Sequence, residues 1–212
     1  MKNIILAHYN EDIKWFNNLN FDGNKIVYSK TINNNDKYFI PLNKGQEIPM
    51  YLKYIIDYYY DLPEKTLFIH GHQNSLHQDF STDYIIDNLN WNLDSFFSIN
   101  KRDWYQEVSK NYEISKGAFD IWLKNNWYIF KNKLEFPIDG LFFYSGAQFV
   151  VNKELILQYG IDFYKDLYDW IEKTEIDNVI TSRIFEYTWH YIFTKKSIEK
   201  KYNNIFNGNN TN

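Results

Sequence analysis

The chain has 212 residues, a net charge of −4 and no cysteine. That charge argues against nucleic acid as a partner, and the missing thiols exclude cysteine nucleophiles, disulfides and thiolate metal sites. No apolar run approaches membrane-spanning length, and the opening run Met1 to Ala7 is too short for a signal peptide, so a soluble, cytoplasmic protein is expected.

Asn3 to His8 reads as a buried strand, because Ile4, Ile5, Leu6 and Ala7 follow one another without alternation. It stops at His8-Tyr9-Asn10-Glu11-Asp12, where Asn10 is placed to cap a short helix carrying Ile13, Trp15 and Phe16. Lys25 to Ser29 reads as a second strand and Lys37 to Pro41 as a third. Asn43-Lys44-Gly45-Gln46-Glu47 leads into a helix over 48–60, with Leu52, Ile55, Ile56 and Tyr59 at helical spacing; Pro63 ends it. Thr66 to His70 is then another strand, completing a β-α-β unit with a right-handed crossover. Asp83 to Leu89 is expected to be a short helix, and 91–104 gives no clear signal. One long helix is expected over 115–134 and one broken strand over 141–151, with helices over 162–173 and 177–194. Residues 1–194 are expected to form a single α/β domain with a mostly parallel central sheet flanked by helices, and 195–212 a polar, flexible tail.

Five clusters of residues carry chemistry. His8 to Asp12 places two carboxylates and an amide at a strand end, either to meet a ligand or to start a helix with acids favoured by its dipole. At Lys44-Gly45 a glycine before a helix lets backbone amides approach a phosphate, although many helices begin this way. His70-Gly71-His72, with His77 and Asp79 close behind, gathers three of the five histidines just past a strand end, where ligands meet open α/β sheets. Two imidazoles on one strand face can share a metal or donate to a diphosphate; they can also be ordinary histidines at a sheet edge. Ser145-Gly146-Ala147-Gln148 breaks an apolar strand with small residues and leaves room for a ligand. Arg183, Glu186 and His190 share one helix face, as a general base with its helper or as a surface ion pair.

In this order the clusters resemble the domain of unknown function 3431 family. The resemblance rests on Ala7 to Asp12 with Trp15; Asn43 to Glu47 with Tyr51, Leu52 and Ile55 to Asp57; Tyr60 to Pro63 with Phe68 to His72; Gly146 to Phe149; and Glu186 to His190 with Phe193. The layout is similar to that of GT-A glycosyltransferases, with His70-Gly71-His72 standing where those enzymes carry an acidic Asp-x-Asp metal motif. The resemblance implies a Rossmann-like GT-A domain that moves a sugar from a nucleotide sugar donor to a glycan or glycoconjugate hydroxyl. It places Tyr9, Asn10, Asp12, Lys44, Gly45, His70 and His72 at the donor, and Gly146, Ala147 and Gln148 at the acceptor. It makes Glu186 the general base, with His190 as helper or ligand. A divalent metal, Mn or Mg, would sit on His70 and His72, or the imidazoles would hold the diphosphate without one. The alternatives are a metal-dependent hydrolase or phosphoesterase built on His70, His72, His77, Asp79 and His190, and a non-catalytic carbohydrate-binding domain.

Overall fold

The computed structural model describes residues 1–31, 38–42, 44–93, 95–197 and 205–206. In chain order they form β1 (Lys2–His8), α1 (Lys14–Asn18), β2 (Asn24–Ser29), α2 (Ile48–Tyr58), β3 (Lys65–His70), α3 (Thr82–Asn88), β4 (Phe96–Ser98), β5 (Tyr105–Val108), α4 (Glu113–Gly117), β6 (Leu141–Tyr144), β7 (Phe149–Asn152), α5 (Lys153–Leu157), α6 (Ile161–Lys173) and α7 (Asn178–Thr194).

The central sheet has the order β2-β1-β3-β7-β4. Strand β1 pairs in parallel with β2 and with β3. Its apolar run does not alternate because both faces are covered. Ile5 and Ala7 join the core under α2, α6 and α7, while Ile4 and Leu6 join a second core with Phe16 of α1 and Ile85 of α3. Helix α2 carries Pro49 in its first turn, where no intrahelical hydrogen bond is lost, and buries Leu52 and Ile55. Helix α7 starts at Asp177, whose carboxylate accepts from Val179 N at 2.8 Å.

Four features depart from the sequence reading. The sheet is mixed rather than mostly parallel, because β7 runs antiparallel to both β3 and β4. The strand expected over 141–151 is two strands in different sheets: β6 pairs with β5 in a separate ribbon, and β7 enters the central sheet. Between them the backbone turns through Gly146 (φ +101°) and Ala147 (φ +46°). The helix expected over 115–134 is broken into α4, a wide π-type stretch over Ala118–Lys124 and a 3-10 turn over Trp127–Phe130. Phe119, Leu123 and Trp127 recur every four residues, which drifts against 3.6 residues per turn, and a wide turn takes up the drift. Asn10 does not cap α1: Ile13 stands at its cap, and the loop is tied by Asp12, which accepts from Lys14 N at 3.0 Å.

Of the strand expected over Lys37–Pro41, the described residues show a single parallel bridge, Phe39 to Ser29; Lys37 lies outside them. Part of the expected tail is docked. Ile205 and Phe206 pack against the second core, and Ile205 O accepts from Asn90 N at 2.7 Å.

The reversed strand decides where the site forms. Phe68 of β3 faces Phe149 of β7, and Lys65 faces Asn152. The amino end of β7 therefore lies beside the carboxyl end of β3. The turn 145–148 is delivered to the same edge of the sheet as the loops that follow β1 and β3.

Candidate functional site

At that edge lies a cavity of about 350 Å³ lined by Tyr9, Glu11, Lys30, Glu47, His70 and His72, among others. A more open hollow of about 650 Å³ adjoins it along Tyr9 to Asp12 and Gly71 to Asn74.

The loops after β1 and β3 hold one another. Trp15 Nε1 donates to Gly71 O at 3.1 Å. Glu11 folds back to accept from Tyr9 N at 2.7 Å and lies 3.6 Å from His72 Nε2. A side chain at Gly71 would collide with it, since a Cβ there would stand 2.8 Å from Glu11 Oε2. The glycine between the two histidines thus makes room for a carboxylate. His70 ends β3 and His72 lies past its end, yet both imidazoles line the cavity.

His70 faces Glu47 rather than Glu11. Its Nε2 is 4.0 Å from Glu47 Oε1 and is buried without a hydrogen-bond partner among the described residues. Burial holds the His70 imidazole down to about 3, with the neighbouring His77 and His72 adding to the effect. It is neutral at physiological pH.

Glu47 stands at the amino end of α2, where the helix dipole favours a carboxylate. Burial wins over the dipole and pushes Glu47 up to about 7; Glu186 adds to the rise, while its own backbone amide, Lys30 and Arg183 oppose it. Among the described residues, Lys30 is the cation of the cavity wall. Its Nζ donates to Lys44 O at 3.1 Å, and burial lowers it to about 8.

The loop before α2 differs from the phosphate cradle expected there. Gly45 has φ +67°, but its amide already donates to Asn178 Oδ1 at 2.6 Å. Lys44 offers its carbonyl to the cavity wall, and the positive charge comes from Lys30. Asn43 lies outside the described residues.

The turn 145–148 is filled by the protein itself. Glu186 Oε1 accepts from Gly146 N at 2.7 Å and from the Ser145 hydroxyl, and Oε2 accepts from Arg183. Asn100 Nδ2 donates to Ser145 O at 2.6 Å, and Tyr51 OH to Ala147 O at 3.2 Å. A Cβ at Gly146 would stand 2.8 Å from Asn100 Nδ2 and 2.9 Å from His77 Cδ2. The missing side chain at Gly146 makes room for Asn100 and His77. Gln148 couples the turn to β3: its Oε1 accepts from His70 N at 3.0 Å, and its Nε2 meets His77 Nε2 at 2.9 Å. Because that amide nitrogen can only donate, His77 is unprotonated at Nε2. Burial lowers its affinity for a proton, against the raising effect of Glu186.

Two expected partners lie elsewhere. His190 is 2% exposed, and its ring stacks on Phe143 with centroids 6.4 Å apart. Burial holds it down to about 3, so it is a neutral core side chain; it is not among the residues lining the cavity, but lies beside Glu186 and Gln148 behind it. Asp79 lines a separate cavity of about 470 Å³ beside β4. Among the described residues no group of three or more His, Asp or Glu side chains is arranged to hold a metal ion. His70 and His72 each face a different carboxylate, Glu47 and Glu11. The residues that sequence reasoning missed outright are Lys30 and Asn178. Neither belongs to a local motif, since Lys30 merely follows a strand and Asn178 reaches Gly45 across 133 positions.

Fold and site together define a mixed α/β domain with one polar cleft at the carboxyl ends of its parallel strands. The chain belongs to the family described as "Protein of unknown function (DUF3431)", whose model matches residues 4–205. No curated protein and no solved structure matches it. Among the described residues no helix is long and apolar enough to cross a membrane.

Proposed function

We propose that this protein is a glycosyltransferase, moving a sugar from a nucleotide-activated donor to a hydroxyl of a glycan or glycoconjugate. One observation carries the reading. The loops after β1 and β3, the loop before α2, the 145–148 turn and the Glu186 face of α7 are distant in sequence, and all meet at one edge of the sheet around the cavity and its immediate support. That edge is where α/β sheets bind nucleotides, and the order of the segments is the one that resembles a GT-A layout.

In this reading the open hollow takes the nucleoside. Tyr9, 46% exposed, offers its ring for stacking, and Asn10 and Asp12 offer polar groups beside it. The diphosphate lies toward Lys30 and His72. Glu186 acts as a positioning residue that holds the acceptor-side turn, since both its carboxylate oxygens are engaged. The rival hydrolase reading draws less support, because Asp79 and His190 stand apart from His70 and His72.

The test is a thermal-shift screen of nucleotides and nucleotide sugars, each with Mn²⁺ and with EDTA. A ligand at about 100 times its Kd adds about 2.7 kcal/mol to folding, which for a domain of this size is a rise of about 5–10 °C. One nucleotide class giving that rise supports the transferase. No rise with any nucleotide or nucleotide sugar refutes it, and binding of free glycans or of Zn²⁺ then identifies which rival holds.

A further inference from the structure

We propose that Glu47 and His70 form the proton-transfer pair of this site, with the attacking hydroxyl seated in the gap between Glu47 Oε1 and His70 Nε2. The inference rests on the transferase reading and deepens it.

The gap is 4.0 Å. That is too long for a direct hydrogen bond, and it fits one oxygen atom about 2.8 Å from each partner. His70 Nε2 is buried without a partner among the described residues, which is costly unless a ligand or water completes it. The Glu47 side chain is 12% exposed and lines the same cavity. The pair is held from three sides: β3 carries His70, whose amide is fixed by Gln148; α2 carries Glu47; and Lys30 stands on the cavity wall. The ionisable groups around Glu47 are Lys30, His70, Tyr51 on its own helix, and Glu186 with Arg183 on α7. Of the carboxylates around this cavity, Glu47 and Glu186 interact most closely and are unequal. Glu186 is engaged by Ser145, Gly146 and Arg183 and has a structural role. Glu47 is buried, faces the cavity and holds its proton up to about 7, which suits a group that takes up and releases protons near neutrality.

The step balances as follows. The step starts from the ionised form of Glu47: the acceptor O–H points at its carboxylate, while the acceptor oxygen accepts from His70 Nε2–H. As that oxygen bonds to the anomeric carbon of the donor, the bond from that carbon to the phosphate oxygen breaks. The electron pair leaves with the nucleoside phosphate, and the proton ends on Glu47. Water in the same gap would give slow donor hydrolysis, so the pair can be assayed before the acceptor is known.

The experiment measures nucleotide release from the nucleotide sugar that raises the melting temperature, from pH 5 to 9, for wild type, Glu47→Gln and Glu47→Asp. Glu47→Gln is expected to lose at least about 100-fold in kcat and to lose the rise in rate between pH 6 and 8. The donor-induced thermal shift should persist, and Glu47→Asp should keep the pH rise at a reduced rate. A Glu47→Gln protein that binds donor and releases nucleotide within about threefold of wild type overturns the assignment and leaves the transferase reading standing. If no nucleotide sugar shifts the wild type, the transferase reading falls and the assignment falls with it.

Discussion

Replacing Glu47 with glutamine should stabilise the protein, by an amount that grows with pH. The carboxyl holds its proton up to about 7 in the folded chain against an ordinary 4.5. Between those values the unfolded chain is ionised while the folded chain stays protonated, so wild-type stability falls as pH rises. Each pH unit in that window costs about 1.4 kcal/mol, and the full window costs about 3 kcal/mol. Below 4.5 both states are protonated and the cost vanishes; above 7 it is constant. Glutamine keeps the shape and has no proton to lose. The variant should match wild type near pH 4.5 and exceed it by about 3 kcal/mol at pH 8, the attraction to Lys30 being already contained in the raised value. Urea unfolding followed by tryptophan fluorescence (there are seven tryptophans) at pH 4.5, 6, 7 and 8 measures this. A stability difference that stays flat across that range, or that favours wild type at pH 8, refutes the claim that burial dominates the environment of Glu47.

Gly146→Ala should destabilise the fold by at least about 2 kcal/mol. A non-glycine residue at φ +101° is strained, and its Cβ would press on Asn100 and His77; denaturant midpoints check this, and a neutral result would mean that the turn is not held as described. His190→Phe should flatten the acid limb of stability. Its imidazole refuses a proton until about 3, whereas the unfolded chain takes one at 6.5, so this group alone should cost about 1.4 kcal/mol per unit as pH falls through that window. Melting temperatures from pH 7 to 4 should therefore fall less in the variant than in wild type.

The parts of the fold legible in the sequence are those with strong local periodicity: β1 and β3 as unbroken apolar runs, and α2, α6 and α7 as helical stripes. The illegible parts depend on partners. Nothing local says that Phe149 to Asn152 runs antiparallel to β3, because alternation reports which faces are covered and not the direction of the strand. The three-residue β4 is too short to show a period. The π-type stretch arises from the need to turn Phe119, Leu123 and Trp127 inward together, which is a tertiary demand. The same division holds at the site. His70-Gly71-His72 stands out because it ends an apolar run in polar groups. Glu47 reads locally as an ordinary acid just before a helix, and only its burial beside His70 and the charge of Glu186 makes it unusual.

Burial also decides what the histidines can do for an anionic donor. An imidazole that stays neutral down to about 3 brings a directed hydrogen bond and no positive charge. Among the described residues lining the cavity, Lys30 is the cation and shares the lining with Glu11 and Glu47; Arg183 stands outside that lining and is committed to Glu186. A diphosphate entering this cavity therefore meets one lysine against two carboxylates, one of which can be neutralised by protonation near pH 7. His70 is suited to orienting a neutral hydroxyl, and the exposed His72, paired with Glu11, is the imidazole placed to meet the phosphates. The shortage of positive charge makes the Mn²⁺ and EDTA arms of the nucleotide screen informative. A donor shift that survives EDTA means that Lys30 and His72 suffice, whereas a shift that needs Mn²⁺ means that the donor brings its own counter-charge into the cleft.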